Sequence, residues 1–558
     1  MAIFSSSSDL HAYLTELILP VHLRENGGQI TQEVMSGYNT PGISVAILPP
    51  TSNAEEYAKT NLLTCTFGIR DCTDRGSFVD TETISQAASI SKPFTALAVL
   101  RLVVQGKLNL DIDIEEYLAL DKNRAVVRED LHTSAIVNPA TVPRTPITLR
   151  LLLAHKSGLS TVSGLAGYYG NWAEIPSTPS TINGASPANN LPIRAFTLPG
   201  LGTSYSGGGT TVVQHILTLV TGKSFPLLMR ELVLEPLGMS RSTYEQPITP
   251  GGRVNYAKAH HNANTGYTAG TECMIYPEAA AAGLWTTPSD LLKGLRAVFD
   301  CLSGSADVFL PPALVAESFT ELNGFGGFGI GWESETISTD ESNGKRRVIL
   351  GHGGSNQGFE CSLILVGDIP LVGRDTPVID AKPPVGIAWM SNSDWGPQIG
   401  GRIVAAFGWL VDEPLKVGGS VVRNRFSPVL AKTPEEHAKV DKQINGWQAW
   451  KGQWKMKAGG DVTLHGPRVH LDIGESEGLP TMSISVLADP KTPLALLPAA
   501  FHHPEAKVWV VRDMNVAVAM KEVESDGKPP VHSLEIWQNG MAYDAERVVD
   551  PVGSTSVN

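Results

Sequence analysis

The chain has 558 residues, more than one compact core accommodates, which implies two or three domains. Hydrophobic residues make up 42% and charged residues 18%, a balance that excludes a disordered chain. The net charge of -13, with no basic run, excludes nucleic acid and anionic membrane surfaces as main partners, and the acids are too scattered to imply a cationic substrate.

Taken in chain order, residues 9–39 predict helix. The N-terminal stretch MAIFSSSSDLHAYLTELILP has neither the basic head nor the unbroken apolar core of a signal peptide, and no segment reaches the roughly 18 apolar residues of a membrane span. The expectation is a cytoplasmic protein with no membrane partner. Five dispersed cysteines without a CxxC pair agree with that location and read as buried small hydrophobes. TPGISVAIL (40–48) predicts a turn and a buried strand, and LLTCTFGIRD a second strand. ASISKPFTALAVLRLVVQG then predicts a helix, apolar nearly all round, that Gly106 ends. TPITLRLLLAHKSGLS (145–160) predicts another helix, and residues 161–203, rich in Ser, Gly, Pro and Asn, a long loop of the kind that often serves a binding site. Two helices are expected over 210–239 and one over 289–302 with Ser289 as its cap. RRVILGHGG, FECSLILVG and VGIAWMSNSD follow as strands and GGRIVAAFGWLV as a closing helix.

Strands, then helices, then strands imply an α/β domain whose sheet draws on both ends of residues 1–415, with an all-α insertion at roughly 105–340. A linker is expected over 416–440. Residues 441–558 alternate short β-like pieces with turns and predict a small all-β, barrel-like domain.

The chain holds three S-x-x-K patterns. Those at Ser342 and Ser525 lie in hydrophilic turns; only Ser89…Lys92 opens a buried helix. There i and i+3 share a face, so the amine reaches the hydroxyl, and burial together with the helix N-terminus favours a neutral amine that can act as a base. Ser89 read simply as a helix cap is the plainer alternative. Tyr205, in GTSYSGGGT before a helix, is a candidate proton shuttle. In LGHGGSNQGFE the strand glycines Gly353 and Gly354 allow a ligand close to the backbone, His352 lies beside them, and the Ser355 N–H is a candidate oxyanion donor with that of Ser89. Tyr168, Tyr169 and Trp172 offer an aromatic wall for an apolar substrate. His260-His261 lacks a Cys or Glu at ligand spacing, so neither metal nor cofactor is expected.

Together these stretches resemble the serine β-lactamase/penicillin-binding-protein superfamily, most of all its class C-like branch of esterases, D-amino-acid peptidases and acyltransferases. SISKPF matches the nucleophile motif, with Ser89 as nucleophile and Lys92 as activator. Tyr205-Ser206-Gly207 matches Tyr-x-Asn without its Asn. His352-Gly353-Gly354 stands where the family has Lys-Thr-Gly, which puts β-lactam binding in doubt. The resemblance spans residues 10–412 and implies an active-site cleft between the α/β and helical parts. The tail is similar to the barrel appended to some family peptidases.

The expected reaction is acyl transfer through Ser89 from a small-molecule ester or amide, esterase or acyltransferase first. D-amino-acid peptidase or amidase, β-lactamase and a catalytically silent scaffold are the alternatives. The β domain is expected either to mediate homo-oligomer formation or to wall the active site.

Overall fold

The computed structural model describes residues 6–18, 35, 38–121, 146–159, 167–168, 175–190, 192–195, 199–200, 202–248, 255–263, 266–268, 273–304, 308–322, 327–371, 381–411 and 447–456, with the strands that lie between 470 and 547. The chain divides into two compact units, Met1–Gly419 and Ser420–Asn558.

The first unit is built on a six-stranded antiparallel sheet. Its strands are β1 (Gly42–Leu48), β2 (Leu63–Gly68), β3 (Glu333–Asp340), β4 (Lys345–Asn356), β5 (Phe359–Pro370) and β6 (Val385–Ser391), in the spatial order β2-β1-β6-β5-β4-β3. The two ends of the unit meet where β1 pairs with β6, Val45 opposite Trp389. Every residue of β1 is buried, because both faces of the sheet are covered. Ile43, Val45 and Ile47 pack with α1 (Ser7–Ile18) through Leu10 and Leu14. Ala46 and Leu48 point the other way, into the large core shared with the helices.

That core is shared by α2 (Ser91–Val104), α3 (Leu149–Leu153), α4 (Gly207–Thr221), the short α5 (Ala279–Ala282) and α6 (Pro288–Asp300), of which α6 lies directly on β1, β5 and β6. In α2, residues 91–100 and Leu102 are all buried, as its all-round apolar sequence requires. The closing helix, α7 (Gly396–Val411), covers the α1 face with Ile399, Ile403 and Phe407.

Several helix ends differ from expectation. The first helix is Ser7–Ile18, and much of the expected remainder to residue 39 lies outside the described residues. The helix expected over 145–160 is only Leu149–Leu153: Thr148 caps its start, and His155 at φ +56° turns the chain away. α4 starts three residues early because the Ser206 hydroxyl accepts from the Gly209 N–H. α6 is capped by Thr287, with Pro288 as its first residue, and not by Ser289. The long loop contains a helix, Thr178–Asn183.

In the second unit eight antiparallel strands, β7 (Gly452–Met456) to β14 (Met541–Arg547), close into a barrel. Closure runs through β7 and β14, Trp454 opposite Arg547, and it removes the free edges an open sheet would expose. A short turn, Trp447–Trp450, precedes the barrel, and Trp450 donates from its indole to the Ser533 carbonyl at 3.1 Å.

Candidate active site

The site is organised by the start of α2. Ala88, Ser89 and Ile90 form a 3-10 turn ahead of the helix, and Ala88 sits at φ +46°, a conformation few non-glycine residues adopt. The turn is held by Ser91, whose hydroxyl donates to the Ala88 carbonyl at 2.5 Å and accepts from the Leu284 N–H at 2.9 Å. Ser89 is therefore not the helix cap: Ile90 occupies that place without a capping side chain. Its hydroxyl instead accepts from Lys92 Nζ at 2.9 Å. Its N–H precedes the first donors within the turn, those of Ile90 and Ser91, and so is not consumed by the turn itself.

Lys92 is 4% exposed. Burial lowers its pKa to about 7, against the opposing charges of Glu278 and Glu333. Its amine also donates to the Ala281 carbonyl at 2.9 Å. The segment bearing α5 also meets α2 through Thr95, which donates to the Ala280 carbonyl, and β4 through Asn356, which donates to that of Ala282.

Tyr205 lies just before α4 with its ring under Lys92, whose Nζ is 4.8 Å from the ring centre. Its phenol is buried and has no well-formed hydrogen bond, while Ser89 is close enough to favour its ionised form slightly. Burial dominates and drives the pKa far above the ordinary value. The family's Asn position is Gly207, buried in the first turn of α4, so no amide projects there.

His155 holds Tyr205 in place. Its carbonyl accepts from the Ser204 N–H at 2.7 Å and its Nδ1 from the Ser206 N–H at 3.1 Å, so Tyr205 is clamped on both sides. The two rings are 4.4 Å apart. Burial and the Lys92 charge keep His155 neutral, with its proton on Nε2.

The opposite wall is β4. Its pairing with β3 ends at Gly351, while its pairing with β5 runs to Asn356, so residues 352–356 are flanked by β5 alone. That open edge meets the Ser89 turn. A Cβ on Gly354 would lie 2.4 Å from the Ala87 carbonyl oxygen, so the close approach requires glycine. His352 is buried, 5.9 Å from the Tyr205 ring, and neutral: burial and the Lys92 charge hold its pKa down at about 3. Its Nδ1 contacts the Gly353 carbonyl at 2.5 Å, and its buried Nε2 has no partner among the described residues. Ser355 is exposed and its hydroxyl donates to Glu360 at 2.6 Å, which leaves its backbone as the part relevant to the site.

Tyr168 pairs by its backbone with Ile275 and by its hydroxyl with Asn189, and burial raises its pKa. Tyr169 and Trp172 lie outside the described residues. The fold does bring Asp71 and Cys72 near His260, within 4.8 Å. Both His260 nitrogens are engaged, by the Cys72 N–H and the Asn392 carbonyl, and Asp71 is paired with Lys258. These bonds are those of a structural cluster.

Sequence reasoning missed His155, Phe328 and Glu278. Phe328 rests 4.7 Å from the His155 ring and 5.9 Å from Tyr205. Glu278, in PEAAAAG, reaches the site only because α5 folds over Lys92. The one usable signal was the His in AHKSGLS, a residue type tolerated where a helix ends in the left-handed region.

Comparison with known proteins gives a consistent result. The model of the Beta-lactamase family matches residues 29–402. Penicillin-binding protein 4* of Bacillus subtilis (strain 168) is 25% identical over 194 residues, 34% of this chain, and the match spans only 37% of that relative's length. Among solved structures, SurE is similar with a TM-score of 0.51 at 18% identity, over 96% of this chain and 98% of its own. The octameric penicillin-binding protein homologue from Pyrococcus abyssi also scores 0.51 at 18% identity, over 92% and 97%. At such identities the two structures speak for the fold alone.

Proposed function

Because the chain belongs to the beta-lactamase family, whose wider superfamily comprises serine hydrolases, we propose that it transfers an acyl group through Ser89 from a small-molecule ester, as an esterase or acyltransferase. The observation that carries this is the 2.9 Å contact between the Ser89 hydroxyl and a Lys92 amine that burial deprotonates near neutral pH.

In the first step Lys92 Nζ takes the Ser89 proton as Oγ bonds to the ester carbonyl carbon, and the carbonyl electron pair moves onto oxygen. The backbone N–H groups of Ser89 and Ser355 receive that oxyanion. The carbonyl then re-forms, the bond to the leaving alkoxide breaks, and the proton returns from Lys92 through the Tyr205 hydroxyl to the departing oxygen. Tyr205 acts in this scheme as a neutral phenol, since burial disfavours its anion, and Lys92 is the base. Water, or an acceptor alcohol or amine, releases the acyl group by the reverse sequence.

An ester is favoured over a carboxylate-bearing peptide or β-lactam because the residue in the lysine position, His352, is buried and neutral and supplies no cation.

The test is hydrolysis of p-nitrophenyl esters of short and long acyl chains, with intact mass recorded after brief incubation. Wild type is expected to gain the mass of the acyl group. Ser89→Ala is expected to gain none and to lose at least about 10³-fold in rate. kcat/KM should rise with pH through about 7 as Lys92 loses its proton. A folded wild type that neither turns over nor carries an adduct would remove the general esterase reading.

A further inference from the structure

Glu278 has no structural task that its surroundings display. It precedes α5 at the cap position, yet its side chain makes no capping bond. Gln214 does that work: its Oε1 accepts from the Ala280 N–H at 2.7 Å, and its Nε2 donates to the Pro277 carbonyl at 2.9 Å. Glu278 is 2% exposed, and among the described residues neither of its buried carboxylate oxygens has a hydrogen-bond partner beyond its own backbone N–H. An isolated carboxylate in such a place costs several kcal/mol if ionised. The cation that acts on it is Lys92, whose amine is tied to Ala281 of the same four-residue helix.

We infer that Glu278 is a positioning residue for acyl transfer, acting through Lys92 as the counter-charge of the ammonium that forms when Ser89 gives up its proton. The inference rests on the acyl-enzyme reading above. A neutral amine has two N–H groups and one lone pair. In the structure both contacts are donations, to the Ala281 carbonyl and to Ser89 Oγ; for proton transfer the Ala281 bond stays and the neutral amine turns its lone pair to the Ser89 hydroxyl. The resulting ammonium sits in a sealed space, and Glu278 supplies the opposing charge without competing for the Ser89 contact.

Among the described residues, five titratable groups act on or pack against Lys92: Glu278 before α5, Glu333 on β3, His155 after α3, Tyr205 before α4 and His352 on β4. The two carboxylates favour the ammonium, and both histidines are held neutral. Burial pushes Glu278 up to about 8 while it pushes Lys92 down, so the two titrate as a pair in which each charged state depends on the other. An ionised Glu278 raises the Lys92 pKa; its removal lowers it.

The experiment measures the rate of Ser89 labelling by a fluorophosphonate between pH 5 and 9, which needs no knowledge of the natural substrate. Wild type should show an acid limb. In Glu278→Gln that limb should move to lower pH by about one unit, and the plateau should fall by roughly 3- to 10-fold because the lysine is a weaker base. Glu278→Asp keeps the charge and should keep the limb. If Glu278→Gln does not accumulate folded, Glu278→Leu replaces it, with the same expected shift. A neutral variant, folded and labelled, whose limb does not move overturns the role of Glu278 while leaving Ser89 intact. Wild type that is labelled at no pH overturns both readings.

Discussion

Two buried acid–base pairs lie in the same helical core and are treated in opposite ways. In the middle of α4, His215 Nε2 and Asp121 Oδ2 are 2.8 Å apart, and both side chains are 6% exposed. At the start of α2, Lys92 and Glu278 are as deeply buried, but among the described residues no other residue bonds the carboxylate, and the amine is bonded to the nucleophile. The first pair meets the requirement that buried polar groups be satisfied. The second leaves the carboxylate unmet, and it is burial of the amine, opposed by the Glu278 and Glu333 charges, that brings the lysine toward a usable base. The comparison separates a pair whose bond supports the fold from one whose tension supports chemistry.

Lys92→Ala should break the comparison most completely. Loss of the base is expected to lower acylation by at least about 10³-fold. The folded state should survive, since the variant removes a buried amine that the core disfavours in its charged form. Ester turnover read beside a thermal melt tests this; a large drop in Tm would mean that Lys92 is structural as well. His215→Ala should do the reverse. Removing this hydrogen bond from the buried Asp121 carboxylate is expected to cost about 2 kcal/mol in stability, while kcat per folded molecule stays within about twofold of wild type. Denaturant unfolding and active-site titration give the two numbers, and unchanged stability would remove the structural role assigned to this pair.

The α2 side of the comparison was legible in the sequence because its signals are local. An S-x-x-K spacing places two side chains on one helical face whatever the rest of the chain does, and the 2.9 Å contact follows from that geometry. The sheet was legible for a similar reason, since both ends of the unit supply short apolar runs that pair, β1 against β6. Glu278 was not legible, because a helix-initial acid before four alanines reads as an ordinary exposed cap. Its burial depends on Gln214, 64 residues earlier, taking over the cap. His155 was hidden in the same way: nothing in AHKSGLS says that both its carbonyl and its ring would clamp a tyrosine fifty residues on. Helix ends were misplaced where Thr and Ser caps lay outside the apolar periodicity.

Gly354→Ala sharpens the comparison at the level of backbone distance. Its Cβ would meet the Ala87 carbonyl oxygen at 2.4 Å and Cys361 Sγ at 2.5 Å, so β4 must move away from the Ser89 turn. A shift near 1 Å between nucleophile and oxyanion donor is expected to lower kcat by about 10²-fold. The loss should be similar for all leaving groups, since Tyr205 is untouched. A variant that keeps full activity would show that the Ser355 N–H does not serve the oxyanion.

His155 gives the smallest effect and the finest distinction. Gln in its place can still accept from the Ser206 N–H but loses the ring face against Tyr205; Leu keeps an apolar face and loses the acceptor. If the hydrogen bond is what fixes Tyr205, His155→Gln should fall by no more than about tenfold, and His155→Leu by more. The loss should also depend on the leaving group. A nitrophenolate departs without a proton, whereas an alkoxide needs one from Tyr205, so alkyl esters should be hit harder than nitrophenyl esters. Equal losses for both ester types would mean that His155 supports the fold around the site and not the placement of the phenol.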